Sequence, residues 1–446
     1  MNQRTLNRSR ALVLTVGTGD LARPEESLLA PLRKSIAEGE WSRAVLLPSQ
    51  VTEQFAAQLK AQVGGDWLEI RPLPAAGQED DADACFAHFN RVIARLREGG
   101  VPATATVVDF TRGTKAMSAA LVLAAIRHDL PTLRYITGER DGRGMVIAGT
   151  ERIFETSPAI ATAQKTLDLA RSLTLRGNFA GALALLPVND NAATGWPGEL
   201  RRLALDLRPA LDFHAAWDRL DYGSAANVRF GEEAPAADWQ ALWPATAMTE
   251  WVAGLATPVA AADHPAMAAR LRLLALDLLA NGERRIRDRH YEDAMLRAYR
   301  VLELIGQFRL FDRGLNSACL PADHPAVQQL SEKLAKKGSS AFGVRPDGRL
   351  TAAREHVARL LRQLDDPLAA DLLSIDNDPT IPRISARNHS VLIHGFQAVG
   401  PGDDAPLRAL YQKLEALLLR DAGDAAKTAL MTARQADVSI RPGSAL

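Results

Sequence analysis

Short apolar runs alternate with amphipathic stretches over the first third of the chain. The apolar runs are residues 12–16, 44–47, 67–73, 104–109, 133–137 and 145–148. Their β-branched content is typical of buried strands. The stretches with helical spacing are residues 24–38, 83–98 and 114–128. Strands that alternate with helices of this length predict right-handed βαβ units and a mainly parallel sheet.

The strand pattern nearly vanishes after residue 154, and helical periodicity takes its place. Helices are predicted at residues 161–176, 268–279, 284–308, 326–336, 351–364, 384–394 and 406–420. Residues 217–247 hold three of the seven tryptophans and several turn residues, and their pattern predicts no element. The sequence therefore predicts an α/β domain over residues 1–155, a helical intermediate region over 156–264 and an all-helical domain over 265–446.

Composition narrows the class of protein. A chain of 446 residues exceeds what one hydrophobic core usually supports. The 53 basic and 53 acidic residues cancel, so a nucleic-acid partner must bind a local basic cleft. Cys85 and Cys319 are too few for a disulfide framework, which fits a reducing cytoplasm. The apolar run 11–16 is too short for a signal peptide, and no stretch approaches the roughly 20 residues that span a bilayer. We expect a cytoplasmic protein without a membrane segment.

Two loops are placed to bind an anionic ligand at the carboxyl ends of the predicted strands. They are Gly17-Thr18-Gly19-Asp20, after the first strand, and Asp109-Phe110-Thr111-Arg112-Gly113-Thr114-Lys115, after the fourth. In an open parallel sheet, ligands bind beyond these strand ends. Glycines allow close backbone approach, the helix that begins near Thr114 favours negative charge, and Arg112 or Lys115 can add a cation. Ordinary tight strand–helix turns are the alternative interpretation.

Two other nucleotide motifs fit less well. Residues 17–22 match the G-x-G-x-x-A dinucleotide fingerprint, but the second strand ends at Leu47-Pro48-Ser49 without the carboxylate that would hold a ribose. Pro24 also falls where the fingerprint helix should continue. A Walker loop is excluded because residues 111–115 lack its glycine spacing.

The segment Asp109-Phe-Thr-Arg-Gly-Thr-Lys-Ala-Met117, followed by Ser118-Ala-Ala-Leu-Val-Leu-Ala-Ala125, resembles the signature of CARF domains. These are the Rossmann-like sensors of CRISPR-associated accessory proteins, which usually carry glycine where this chain has Arg112. The resemblance covers about 155 residues. It implies a homodimer that binds one cyclic oligoadenylate, a tetra- or hexa-adenylate, across the interface of its two sensor domains. The implied ligand-binding residues are Gly17, Thr18, Thr111, Arg112, Gly113, Thr114 and Lys115.

The predicted helix near residue 390 carries a pattern suited to phosphodiester chemistry. Arg387 and His394 are seven residues apart, hence on one helix face about 10 Å apart, whereas His389 projects to the other side. A guanidinium binds phosphate and stabilises developing charge, and a histidine moves protons near neutral pH. Other Arg–His pairs, such as Arg285 and His290, have similar spacing, so capping and surface roles are equally compatible with the spacing alone.

Arg387-Asn388 followed by His394 also resembles the active-site motif of HEPN ribonucleases. The segment Tyr291-Glu-Asp-Ala-Met-Leu-Arg-Ala-Tyr-Arg-Val-Leu-Glu303 is similar to the first helix of that family. A CARF domain followed by a HEPN domain is the architecture of type III CRISPR accessory ribonucleases. The resemblance implies a composite site from two protomers, in which Arg387 holds the scissile phosphate of single-stranded RNA, Asn388 orients it and His394 transfers the proton.

Neither a catalytic cofactor nor a metal is implied. The histidines lack metal-ligand spacing, and the acidic residues at 365–366 and 376–378 lie in a loop-like setting. The basic run 284–290 fits either an RNA guide or a solvated helix face. The function predicted from the sequence is a metal-independent endoribonuclease activated by cyclic oligoadenylate. The alternatives are a non-catalytic cyclic-nucleotide sensor acting through partners and a nicotinamide-dependent enzyme.

Overall fold

The computed structural model describes residues 10–19, 22–140, 142, 146–147, 149–193, 195–231, 237–336, 342–378 and 399–437. The chain divides into two compact units. The first contains Met1–Asp168 and Asn189–Arg202, and the second contains Leu169–Val188 and Leu203–Leu446. The three-domain boundaries predicted from the sequence stay a prediction.

The first unit is built on a six-stranded sheet. Its strands are β1 (Ala11–Val16), β2 (Arg43–Pro48), β3 (Leu68–Ile70), β4 (Thr106–Asp109), β5 (Thr132–Thr137) and β6 (Arg152–Thr156). They lie in the order β3-β2-β1-β4-β5-β6. The first five strands are parallel and β6 is antiparallel to β5. This Rossmann-like order confirms the predicted α/β class.

Helices cover both faces of this sheet because its central strands are apolar on both sides. The helical elements are a π-helical turn (Glu25–Leu29), α1 (Ala30–Ala37), α2 (Glu53–Val63), α3 (Ala82–Glu98) and α4 (Lys115–Arg127). Val13 of β1 packs in the core under α3 and α4. Leu12 and Leu14 belong to the opposite core, beneath α1 and α2. Such two-sided burial explains why the strands read as continuous apolar runs.

The sixth strand differs from its prediction. The sequence predicted a strand at residues 145–148, part of which lies outside the described residues. Val146 forms only an isolated bridge with Arg140. The strand that pairs with β5 is β6, whose side chains are mostly exposed. Its sequence Arg-Ile-Phe-Glu-Thr lacks a buried apolar run because β6 is an edge strand.

The second unit is helical, as predicted. A long helix, α5 (Ala159–Leu175), continues into it from the first unit. The remaining helices are α6 (Phe179–Leu185), α7 (Gly198–Asp218), α8 (Tyr222–Ala226), α9 (Thr246–Ala256), α10 (His264–Arg287), α11 (Tyr291–Asp312), α12 (Pro325–Ala335), α13 (Arg354–Gln363), α14 (Ala369–Ser374) and α15 (Asp404–Arg434). A short hairpin, β7 (Gly343–Val344) with β8 (Leu350–Thr351), joins α12 to α13.

One predicted helix, residues 284–308, is two helices. The chain turns between α10 and α11, where Arg289 adopts a left-handed backbone with φ of 62°. The amphipathic pattern continues on both sides of the turn, so periodicity alone did not reveal the break.

Helices α10, α11 and α15 pack together around a shared core. The Tyr411 hydroxyl donates a hydrogen bond to the Ala294 carbonyl at 2.7 Å. A Cβ atom on Gly282 would collide with that hydroxyl, so glycine permits the close crossing of α10 and α15.

One buried carboxylate is surrounded by aromatic donors, of which Trp217 and Tyr222 belong to the stretch 217–247. Asp277 of α10 accepts hydrogen bonds from the indole N–H groups of Trp217 (2.8 Å) and Trp251 (3.0 Å) and from the Tyr222 hydroxyl (2.7 Å). Burial raises the pKa of the Asp277 carboxyl. These three donors satisfy a polar group that would otherwise be costly inside the core.

Candidate functional site

The two glycine-bearing loops of the first unit lie side by side. Strand β1 is the neighbour of β4, and each loop leaves the carboxyl end of its strand. A Cβ atom on Gly17 would lie 2.8 Å from both Cα and N of Gly113. The strand order reverses direction between β1 and β4, which is where open α/β sheets bind ligands. The predicted location of the site therefore has the expected topology.

The buried Asp109 carboxylate fixes the conformation of the second loop, residues 109–115. It accepts hydrogen bonds from the Ser35 hydroxyl and from both the backbone N–H (2.8 Å) and the hydroxyl of Thr111. Burial raises the pKa of the Asp109 carboxyl, although these donors act in the opposite direction. The Thr111 hydroxyl also accepts a hydrogen bond from the Ile136 N–H at 2.8 Å. The Thr111 side chain is thus directed into the protein and holds the loop in place.

The helix that follows this loop begins at a threonine cap. The Thr114 hydroxyl accepts a hydrogen bond from the Met117 N–H at 3.1 Å and donates one to the Glu79 carbonyl. Lys115, the first residue of α4, is exposed. The N-terminus of α4 carries a partial positive charge beside an exposed cation, a combination that favours a phosphate.

Three polar atoms around the loops are buried without a hydrogen-bond partner in the described chain. They are the Thr15 hydroxyl, the Arg112 Nε and one Glu79 carboxylate oxygen. The Thr15 hydroxyl lies 3.2 Å from where a Cβ atom of Gly113 would be. Burial lowers the pKa of the Arg112 guanidinium, while Asp109 and Glu151 counteract it. Unpartnered buried polar groups are costly, so these three atoms make the loops a candidate site for a ligand.

The first loop is more open. Gly17 is buried and Thr18 is exposed. Gly19 has a φ of 61°, and a Cβ atom there would lie 2.7 Å from the Ser27 hydroxyl, so this turn requires glycine. Asp20 lies outside the described residues.

The end of β2 argues against dinucleotide binding. Ser49 follows the strand, is buried and makes a 3.1 Å hydrogen bond with the Thr52 hydroxyl. That hydroxyl donates in turn to the Val16 carbonyl at 2.7 Å. The position where a dinucleotide fold needs a carboxylate is filled by this hydroxyl pair.

Two members of the site were not singled out from the sequence. Thr15 is the single polar residue within the apolar run of β1. Glu79 belongs to the acidic run at residues 79–83. Asp81 of this run caps α3 by accepting hydrogen bonds from the backbone N–H groups of Asp83 and Ala84. Glu79 precedes the cap, and no sequence pattern marked it as a neighbour of Thr114.

The predicted catalytic residues Arg387, Asn388 and His394 lie outside the described residues. The described chain on either side of this segment is held by specific contacts. Asp378 forms an ion pair with Lys413 of α15, and the Val399 N–H donates to a Glu292 carboxylate oxygen at 2.8 Å. Glu292 belongs to α11, the helix that resembles the first HEPN helix.

The basic run at residues 284–290 is largely neutralised within the protein. Arg284 and Arg285 form ion pairs with Asp218, and Arg287 pairs with Asp437 and Asp288. This pairing favours a structural role over RNA guidance for the run.

Two of the acidic residues considered as metal ligands, Asp366 and Asp378, form ion pairs. Asp366 is buried against the Arg309 guanidinium at 2.7 Å. Among the described residues, no group of three His, Cys, Asp or Glu side chains is arranged to hold a metal ion. Within the described residues, every helix is too short or too polar to span a lipid bilayer.

Comparison with known proteins covers both halves of the chain. The family model of the Csm6 HEPN domain matches residues 266–418, which include Arg387, Asn388 and His394. The CRISPR system endoribonuclease Csm6 of Thermus thermophilus is 26% identical over 429 residues, covering 91% of this chain and 85% of the relative. The structure of Enterococcus italicus Csm6 bound to cyclic hexa-2′-fluoro-hexa-dAMP superposes with a TM-score of 0.57 at 12% identity, covering 96% of this chain and 99% of that one.

This structural match shows a common fold along nearly the whole chain, and the family match lies on its helical half. The loop at residues 109–115, which resembles the CARF signature, lies at the β1–β4 switch point, and residues 266–418 match the HEPN family model. The chain is therefore similar to Csm6 along most of its length, and residues 266–418 match the family model of the Csm6 HEPN domain.

Proposed function

We propose that this protein is a metal-independent endoribonuclease that a cyclic oligoadenylate activates. The observation that carries the ribonuclease assignment is the HEPN match over residues 266–418, because it includes the Arg387-Asn388 pair and His394 at the motif spacing. The related endoribonuclease from Thermus thermophilus aligns over 91% of the chain and supports the same assignment.

The proposed reaction uses the nucleophile that RNA itself contains. The 2′-hydroxyl oxygen attacks the adjacent phosphorus and loses its proton, while the bond from phosphorus to the 5′-oxygen breaks and that oxygen gains a proton. The products are a 2′,3′-cyclic phosphate and a 5′-hydroxyl. His394 transfers the proton, Arg387 stabilises the charge on the phosphate and Asn388 orients it.

The activator site is proposed at the β1–β4 switch point. Gly17 and Gly113 allow the two loops to lie in contact, and the N-terminus of α4 with Lys115 favours phosphate. Arg112 contributes a buried guanidinium nitrogen without a partner in the described chain. A cyclic oligoadenylate supplies phosphates for these donors, and Thr18 lies exposed at the rim to contact it.

Activation requires that the ligand bind one arrangement of the protein more tightly than another. We propose a homodimer in which one cyclic oligoadenylate contacts both sensor domains. Arg387 and His394 of each protomer then contribute to a composite catalytic site. The activator shifts the equilibrium towards the arrangement in which that site is competent.

A non-catalytic sensor that acts through partner binding is the second proposal. It keeps the same ligand site, whose unpartnered Thr15, Arg112 and Glu79 atoms support ligand binding independently of any RNA cleavage. The two proposals differ only in what the helical half does when the ligand binds.

Cleavage of a fluorogenic single-stranded RNA in EDTA distinguishes them. Wild type and His394→Ala are compared without activator, with cyclic tetra-adenylate and with cyclic hexa-adenylate. We expect cleavage that depends on one activator and is lost in His394→Ala. Measurable activator binding without cleavage by the wild type would overturn the ribonuclease proposal and favour the sensor. Activity restored only by added divalent cations would overturn metal independence.

A further inference from the structure

Most arginines in the central helices of the second unit already have acidic partners. Arg272 contacts Asp312 and Asp421, and Arg434 contacts Glu283 and Glu415. Arginines that are paired in this way are poorly available to a nucleic acid, because binding it requires breaking the existing ion pair. A region that departs from this pattern is a better candidate for binding nucleic acid.

One region of the unit does depart from it. The elements α12, the β7–β8 hairpin and α13 form what we name the cationic surface. Its described residues, 325–336 and 342–363, include seven lysines and arginines against three acidic residues. This excess of four positive charges occurs in a chain whose net charge is zero. An electrically neutral chain needs a local basic patch to bind a polyanion, and this surface is such a patch.

Four cations of this surface are exposed and make no ion pair with the part of the chain that the structure describes. They are Lys333, Lys336, Arg349 and Arg362. Two ion pairs at the surface are solvent-exposed and join Arg345 to Asp347 and Arg359 to Glu355. Exposed pairs of this kind are weak, so Arg345 and Arg359 can exchange them for a phosphate at little cost.

Specific contacts hold the three elements of the surface together. Lys333 of α12 donates to the Gln363 side chain of α13 at 2.8 Å. The ring of Phe342, at the start of the hairpin, lies 5.9 Å from that of His356 in α13. The hairpin is anchored by the Arg349 guanidinium, which contacts the Cys319 sulfur at 2.8 Å. The cations therefore project from a fixed framework, which lowers the entropic cost of binding an extended partner.

We propose that the cationic surface binds the phosphate backbone of the single-stranded RNA substrate. This inference rests on the proposed ribonuclease function and adds a second contact region to it. Lysine and arginine contacts to phosphate are insensitive to sequence and release bound counterions. We expect the surface to strengthen the binding of a long RNA, which presents many phosphates, more than that of a very short one.

The test compares two charge-reversal variants with equal changes in net charge. The first is Lys333→Glu combined with Arg362→Glu, on the cationic surface. The control is Lys165→Glu combined with Lys427→Glu, two exposed lysines on α5 and α15. Binding is measured by fluorescence anisotropy with a labelled 20-nucleotide RNA that is 2′-O-methylated throughout. This probe has no 2′-hydroxyl nucleophile, so binding is measured independently of cleavage.

We expect the surface variant to raise Kd about tenfold relative to the control. The slope of log K against log salt should fall by about 1.4, because each phosphate contact contributes about 0.7 on a single strand. Lys333→Arg with Arg362→Lys keeps both charges and should bind like the wild type. In cleavage assays, KM for a long RNA should rise in the surface variant and not in the control.

Equal Kd values and equal salt slopes for the surface variant and the control would overturn the inference. A wild type that binds the methylated RNA through this surface yet cleaves no RNA with any activator would instead overturn the proposed function. The two failures are thus distinguishable in one set of measurements.

Discussion

Gly17 and Gly113 are in direct backbone contact, although 95 positions separate them in the sequence. A Cβ atom on Gly17 would lie 2.8 Å from both N and Cα of Gly113. Backbone atoms cannot give way as the end of a flexible side chain does, so any larger residue at position 17 must separate the two loops. The geometry of the proposed activator site depends on this contact.

We therefore expect Gly17→Ala to weaken activator binding by tenfold or more and to lower the free energy of unfolding by about 1–3 kcal/mol. Isothermal titration calorimetry with the activating cyclic oligoadenylate measures the first effect, and urea denaturation measures the second. Gly198→Ala is the matched control, because a Cβ atom there meets no other atom within 4 Å. Activator binding by Gly17→Ala equal to that of the control would contradict a ligand site at these loops.

Substitutions of Thr111 test whether its side chain points into the protein or towards the ligand. Its hydroxyl lies between the Asp109 carboxylate and the Ile136 N–H, and Thr111→Val removes both contacts without a large change in volume. We expect the free energy of unfolding to fall by about 1–3 kcal/mol, because a buried donor and acceptor lose their partners. Thr111→Ser keeps the hydroxyl and should retain most of the stability.

Chemical denaturation of both Thr111 variants, with and without activator, checks this prediction. A Thr111→Val protein that is as stable as wild type but fails to bind the activator would show that the hydroxyl contacts the ligand instead.

The buried Asp109 carboxyl should make stability depend on pH. Because burial raises its pKa above the ordinary value of 3.8, the folded protein keeps a proton that the unfolded chain releases. This contribution to stability is present below the ordinary pKa and is lost as pH rises through the folded pKa. Asp109→Asn does not titrate and removes the effect.

We expect the free energy of unfolding of the wild type to fall relative to that of Asp109→Asn as pH rises from 4 towards neutrality. Urea denaturation of both proteins at each pH gives this difference directly. A difference that instead grows with pH would mean that the hydrogen bonds from Ser35 and Thr111 outweigh burial.

Two ion pairs of the helical unit should differ widely in their effect on stability. The Asp366 side chain is 0% exposed and contacts Arg309, whereas the pair between Asp371 and Arg420 is about half exposed. We expect Asp366→Ala to cost about 3–5 kcal/mol, because it removes one of the two carboxylates, Asp366 and Asp421, that pair with the partly buried Arg309 guanidinium. Asp371→Ala should cost about 0.2–1 kcal/mol. Thermal and chemical denaturation of the two variants compare them, and equal losses would contradict this ranking.

Much of the α/β unit could be predicted because its central strands are buried on both faces. Strand β1 reads as a nearly unbroken apolar run, and the loop after it carries the glycines that the backbone requires. The position of the edge strand β6 was predicted wrongly, because the sequence of an exposed strand contains no continuous apolar run. The residues that face the site from neighbouring elements, Thr15 and Glu79, could not be identified because their proximity to Gly113 and Thr114 is a consequence of tertiary structure.

In the helical unit, periodicity located the helices but not every boundary. The turn at Arg289 interrupts a pattern that continues in phase on both sides. The predicted catalytic residues stay a prediction, because Arg387, Asn388 and His394 lie outside the described residues. The interpretation of the basic run at residues 284–290 also changed. Arg285 forms an ion pair with Asp218, and no local sequence pattern connects these two residues.

The cationic surface has a practical consequence for handling the protein. Because the protein has no net charge at pH 7, we expect an ion-exchange resin to retain it only weakly. The exposed, unpaired lysines and arginines of α12, the hairpin and α13 nevertheless act locally, within about one Debye length of 10 Å at 0.1 M salt. We expect retention on heparin at low salt, release at moderate salt, and a raised ratio of absorbance at 260 nm to that at 280 nm when cell extracts are processed without a high-salt wash.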